Sequence, residues 1–170
     1  RGLVQGKRGY MTTMSMEERL HRSVAGDAAI IATMARSTKE KYGEEGLTAL
    51  RDGLEETYRR LIPSVARQAG ARVGDGTIED WATVEAYICQ MGGMEFELEV
   101  TPEKGVLRVK SCPMEGQFRR ISPDCCPDVF IGIERGIAGA INPNLEVKGG
   151  RYLPRGEGCC EIICQLKPTA

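Results

Sequence analysis

Histidine is nearly absent from this 170-residue sequence; His21 is the only one. From a single imidazole no Ser-His-Asp arrangement can be assembled. Charge of one sign is not in excess. Twenty-three basic side chains face 24 acidic ones, for a net charge of −1, so nothing predicts a nucleic-acid partner. No apolar run approaches the roughly 18–20 residues that span a bilayer, and no membrane association is expected. The amino terminus lacks the apolar stretch and small-residue cleavage site of a signal peptide. No Cys-x-x-Cys pair occurs. The Gly-rich stretches Gly74–Gly76 and Gly156–Gly158 have neither the strand-to-helix context nor the Lys of a phosphate-binding loop, and read as turns.

Seven cysteines are present, at 89, 112, 125, 126, 159, 160 and 164. The number is odd and no export signal accompanies it. Free thiols in a reducing cytosol are therefore expected, with a cytoplasmic location. Cys89 and Cys164 read as small buried apolar residues. The Cys-Cys pairs 125–126 and 159–160 fall at the edges of expected elements and invite a functional reading.

Periodicity divides the chain. Residues 1–13 read as a disordered leader or a remnant ahead of the domain, and 14–170 as a single domain. Ser15-Met16-Glu17-Glu18 is a capping box. It opens a helix with Leu20, Val24, Ala28, Ile31 and Ala35 on one face, ended by Gly43. A second helix carries Leu47, Leu50, Leu54, Tyr58, Leu61 and Val65 to Gly70, with Pro63 expected to kink or divide it. Thr77-Ile78-Glu79-Asp80 starts a third, which buries Trp81, Val84 and Ile88. The period then drops to two. Met94–Val100 alternates, with Glu95, Glu97 and Glu99 on the wet side, and Val106–Lys110 returns as its hairpin partner. A helix from about Cys125 buries Val129, Phe130, Ile133, Ile137 and Ile141 and breaks at Asn142-Pro143. Leu145–Lys148 and Tyr152–Pro154 are strand-like. Cys159–Leu166 is the last strand, with Cys160, Ile162, Cys164 and Leu166 on one face. The expected fold is α+β: an antiparallel sheet of about four strands, helices packed on one face, and a helical N-terminal half.

Three cysteines close elements of the second half. Cys112 ends a strand, Cys126 begins a helix and Cys160 begins the last strand, so all three can meet at one rim of the sheet. A thiol at a helix N-terminus has its pKa lowered by the dipole. Asp128, in the same first turn, is explained equally by helix stabilisation or by a role beside Cys126. Four tetrahedral ligands for zinc are not supplied by this spacing. His21, with Asp27 further along its helix, reads as a boundary histidine more readily than as a base.

The second half also resembles a known family. Phe96–Val100, then Arg108-Val109-Lys110-Ser111-Cys112-Pro113, Cys125-Cys126-Pro127-Asp128, Asn142-Pro143 and Arg155-Gly156-Glu157-Gly158-Cys159-Cys160-Glu161-Ile162 look like the L-2-amino-thiazoline-4-carboxylic acid hydrolase family over roughly residues 94–166. That resemblance implies a hydrolase-like enzyme opening a small cyclic amide, amidine or thiazoline. Cys126 and Asp128 would be catalytic, and Cys112, Asn142 and Cys160 would bind the substrate. The sequence leaves open a divalent metal ion as cofactor and a homo-oligomer as the assembly. A more distant similarity is to 4-vinyl-reductase-type ligand-binding domains, related in fold to TRAPP transport subunits. It implies the alternative, a non-catalytic small-molecule-binding or sensor-like domain. If Cys126 and Cys160 match the first and last zinc ligands of such sensors, the middle two fall at Gly149 and Tyr152, which cannot serve as their Glu and Cys do.

Overall fold

The computed structural model describes residues 14–168, so the expected leader lies outside the described residues. Helix α1 (Met16–Ala69) begins at the expected capping box. Ser15 Oγ accepts the Glu18 N–H at 3.0 Å, and Glu18 Oε2 accepts the Ser15 N–H at 2.8 Å. Gly43 interrupts it with φ 65° and ψ −152°, a conformation open only to glycine, so α1 is two helical arms meeting at a kink. The first arm buries Ala28, Ala32 and Ala35, but Leu20, expected inside, is 43% exposed.

The second arm does not divide at Pro63, which lies inside the helix. Proline there forfeits one hydrogen bond to the carbonyl four residues back. That residue, Arg59, is exposed, and water can replace the bond. Ile62, not Leu61, takes the buried position.

Helix α2 (Ile78–Met91) is opened by a second capping box, Thr77 with Asp80. Burial alone would raise the Asp80 pKa. The backbone N–H groups of Arg72 and Thr77 and the Arg72 and Thr77 side chains instead hold it at about 2. A glutamate row marks the wet face of strand β1 (Glu95–Val100), as its alternation predicts. Arg108 on β2 (Lys104–Ser111) reaches Glu99 at 2.7 Å and Glu161 at 2.9 Å, and Lys110 reaches Glu97 at 3.2 Å.

The helix α3 (Glu115–Ile121) was not expected; seven residues show too little periodicity. Helix α4 (Cys125–Ile141) follows, then strand β3 (Leu145–Gly149) and the last strand β4 (Cys160–Leu166). Tyr152–Pro154, expected as a strand, instead leads into a single 3-10 turn, Leu153–Arg155. Pro154 has no N–H for a ladder, and its fixed φ suits a turn. The four strands are antiparallel in the order β1-β2-β4-β3, with Leu107 opposite Ile162 and Val109 opposite Cys160. The expected α+β architecture is therefore present.

The dry face of the sheet carries Leu107, Val109, Ile162 and Cys164 against Trp81, Val84, Ile133, Ile137 and Ile141 of the helices. Each fully buried aliphatic side chain contributes roughly 1.5–3 kcal/mol. The second arm of α1 then lies directly on α4. A Cβ on Gly132 would stand 2.5 Å from the Arg51 carbonyl oxygen. One on Gly136 would stand 2.5 Å from that of Glu55 and 2.7 Å from Tyr58 Cβ.

Overpacking this crossing should cost stability. Gly136→Val is expected to lose about 2–3 kcal/mol in urea denaturation. Gly139→Ala meets only the flexible Arg59 side chain, at 3.0 Å, and should be nearly neutral.

Candidate functional site

The expected rim exists. β2 ends one residue before Cys112, and β4, its neighbour, starts at Cys160 opposite Val109. Cys126 enters from the start of α4, buried with Ala28 and Ala32 of α1 and Phe118 of α3. The three thiols lie close enough to act on one another. Burial pushes Cys126 up first, and then Cys160 and Cys112 push it further. Cys160 is pushed up to about 11 by burial, partly offset by the Leu153 N–H, which donates to its Sγ at 3.4 Å. Cys112 is also raised by burial, against the opposing amides of Met114 and Glu115.

These shifts reverse an expectation. The helix dipole was to lower the Cys126 pKa, but desolvation of a thiolate among alanines and phenylalanine outweighs it. At neutral pH all three are thiols.

Asp128 does not share the site. Two residues along a helix is about 200° around it. Cys126 therefore faces Phe118, while Asp128 faces the second arm of α1 and meets Arg51 Nη1 at 3.6 Å.

Asn142 lies at the far end of α4, sixteen residues or about 24 Å from Cys126. It caps that helix. Its Nδ2 donates to the Gly76 carbonyl at 2.9 Å and its Oδ1 accepts the Asn144 N–H at 2.9 Å, so its polar atoms tie α4 to the loop ahead of α2. His21 is exposed on the first turns of α1 and shares a shallow recess with Glu17, Glu18 and Arg22.

Of the two positions aligned with sensor zinc ligands, Gly149 holds open the space that Tyr152 fills. A Cβ there would be 1.6 Å from the tyrosine hydroxyl. Burial, then Cys126 and Cys160, push that hydroxyl up to about 12, which places Tyr152 beside the thiols. Among the described residues no three His, Cys, Asp or Glu side chains come together as metal ligands. The donor set there does not fit a divalent ion.

The covering elements are short. Arg119 of α3 donates to the Leu153 carbonyl at 3.1 Å, tying that helix to the 3-10 turn. Arg155 lies 5.6 Å over the Tyr152 ring, and Glu157 accepts the Tyr152 N–H at 2.6 Å. Few-residue elements held by such bonds open at lower cost than the core.

Sequence reasoning missed an acid pair. Glu85 on α2 and Glu134 on α4 are 2% and 9% exposed, and their carboxyl groups lie against one another. Burial raises both pKa values, and Glu134 raises Glu85 further. The contact with Glu85 limits Glu134 to about 7. Trp81 Nε1, Glu85 Oε1 and Glu134 Oε2 are buried without a hydrogen-bond partner. Tyr58, Cys89, Cys164 and Tyr152 surround the pair, each raised by burial and by one or both glutamates; Cys164 reaches about 12. The signal was an acid inside each buried stripe: Glu85 beside Val84, Glu134 beside Ile133.

No family model matches this chain, and no curated protein matches it. Among solved structures it is similar to a trafficking protein particle complex subunit 3 from Naegleria fowleri, crystallised covalently bound to palmitic acid. The TM-score is 0.52 at 12% identity, covering 84% of this chain and 96% of that one. At this identity the likeness concerns the fold alone. Among the described residues no helix is long and apolar enough to cross a membrane.

The acid pair gives a signed pH dependence. Glu134 has an ordinary pKa of 4.5 and a folded value of about 7. Between those limits the unfolded chain releases a proton that the folded chain keeps, so this group's contribution falls as pH rises and is lost above about 7. Chemical denaturation across that window should show Glu134→Gln with a flatter loss of stability than the parent. Equal slopes would mean the pair does not hold its proton.

Proposed function

We propose that this protein is a small-molecule-binding domain whose ligand lies against Cys112, Cys126, Cys160 and Tyr152. The carrying observation is the state of Cys126: a buried thiol raised by its surroundings, with Asp128 turned away from it and ion-paired to Arg51. Nucleophilic catalysis needs a thiolate or a base beside the thiol. Neither supports Cys126, so binding is favoured over the hydrolysis that the family resemblance implies.

Protonated thiols are soft, weakly polar groups that suit an apolar ligand. Access would be by displacement of α3 and the 3-10 turn, the short cover above the thiols. The trafficking subunit of similar fold was crystallised with palmitic acid, which makes a fatty acyl chain the first ligand class to try.

The test compares the two readings directly. Fatty-acid binding is measured by displacement of a fluorescent analogue, and hydrolysis of L-2-amino-thiazoline-4-carboxylate is followed in parallel. The expected outcome is saturable binding without turnover. Cys126→Ala should keep binding within about threefold, since one small apolar group replaces another. Cys126→Phe should weaken it at least tenfold by filling the space. Turnover in the parent that vanishes in Cys126→Ala would overturn this reading in favour of hydrolysis.

A further inference from the structure

The far end of α4 carries a second concave surface. A recess of about 370 Å³ opens between the second arm of α1, the last turns of α4 and strand β3. Among the described residues β3 is an edge strand, with no strand beyond it. Four cations line the recess: Arg59, Arg135, Lys148 and Lys167, against Glu55 and Glu146. On a chain of net charge −1, that is a local surplus of two positive charges.

Two of the cations are placed by carboxylates. Glu55 holds Arg59 at 2.7 Å, and Glu146 holds Lys148 at 2.9 Å. Gly139 has no side chain to push the Arg59 guanidinium away, and a Cβ there would stand 3.0 Å from its Nη2. Arg59 thus lies against the backbone of α4 at the edge of the recess.

Basic residues near a helix C-terminus often serve only to neutralise its carbonyls. Here the last turn of α4 is closed partly by the chain itself, since Ala138 O accepts the Asn142 N–H at 2.9 Å. Of the four lining cations, Lys167 is engaged with a backbone carbonyl, that of Pro143, at 2.6 Å. Arg135 makes no ion pair among the described residues and is exposed. The field acts on Glu146, one of the two carboxylates in the lining. The Glu146 pKa is lowered by hydrogen bonds from Lys148 and Gln165 and by the charges of Lys148 and Lys167.

We infer that this recess binds a phosphate group. Its doubly charged form matches the surplus of two, and arginine is suited to bidentate phosphate recognition. Arg135 supplies the uncommitted guanidinium, while Arg59 and Lys148 add donors from the neighbouring elements. The same chemistry is offered by a free phosphate or phosphomonoester and by the headgroup of phosphatidic acid. Arg135 lies nine residues, or about 14 Å, along α4 from Cys126. The recess is therefore a place separate from the thiol site.

The experiment is amide chemical-shift mapping of the isotope-labelled protein titrated with inorganic phosphate. Co-sedimentation with phosphatidylcholine vesicles, with and without phosphatidic acid, forms the second arm. Saturable shifts at Arg59, Arg135, Gly139 and Lys148 are expected, with affinity falling at least about tenfold in Arg135→Glu. Because Arg135 is exposed, the variant should keep the parent's circular dichroism. Vesicle binding that phosphate displaces assigns the headgroup as the source. Shifts with phosphate and no vesicle binding assign a free phosphate ligand. No saturable shift in either arm, or shifts of equal affinity in Arg135→Glu, would overturn the inference.

Discussion

The close approach of α4 to the second arm of α1 is the contact on which the other placements depend. Gly132 and Gly136 let the α1 backbone come to where side chains would otherwise stand. With that distance fixed, one side of α4 faces α1, carrying the glycines and Asp128. The opposite side is left for Cys126, Phe130, Glu134 and Ile137. Those residues then face the sheet, α2, α3 and the first arm of α1, and the shifted thiols and acids of the interior gather around them. The division also explains why two neighbours in sequence, Cys126 and Asp128, have such different surroundings. One is desolvated among alanines and phenylalanine, and the other is half-exposed beside an arginine.

The interior so formed is richer in ionisable groups than a domain of this size requires. The acid pair is linked to the thiol rim through Tyr152, whose hydroxyl is raised by Cys126, Cys160 and Glu134 together, and through Cys89, raised by Glu85, Glu134 and Cys112. A charge appearing at any of these groups would be felt by the others, because the buried interior between them screens it weakly. This favours a protonated interior as a unit, and it gives the thiols their ligand-like softness instead of nucleophilic character.

Much of the fold was legible because it is written locally. Both capping boxes, the glycine break at 43, the β1–β2 hairpin and the buried stripe of α4 follow from spacing within a few residues. The meeting of Cys112, Cys126 and Cys160 followed from where each element ends. What was not legible depends on other parts of the chain. The sign of the Cys126 shift is decided by Ala28, Ala32 and Phe118, all distant in sequence. Asn142 carries suitable chemistry for a ligand, but the length of α4 takes it to the wrong end. Glu134 sits in an apolar stripe that tolerates it only because Glu85 arrives from another helix. Pro63 fails to divide its helix because the carbonyl it frees belongs to an exposed residue.

The strand order has a consequence for how the chain is made. β4, the last element among the described residues, lies between β2 and β3, and it supplies a ladder to each. Until it emerges from the ribosome, β3 has no strand beside it, and β2 is paired on one side only. The helices and first hairpin can form early, but they wait with an open seam for the final segment to be inserted. Such non-local closure is slow relative to helix formation. The nascent domain is therefore most vulnerable in the interval before β4 is inserted, with the dry side of β2 as the surface left uncovered.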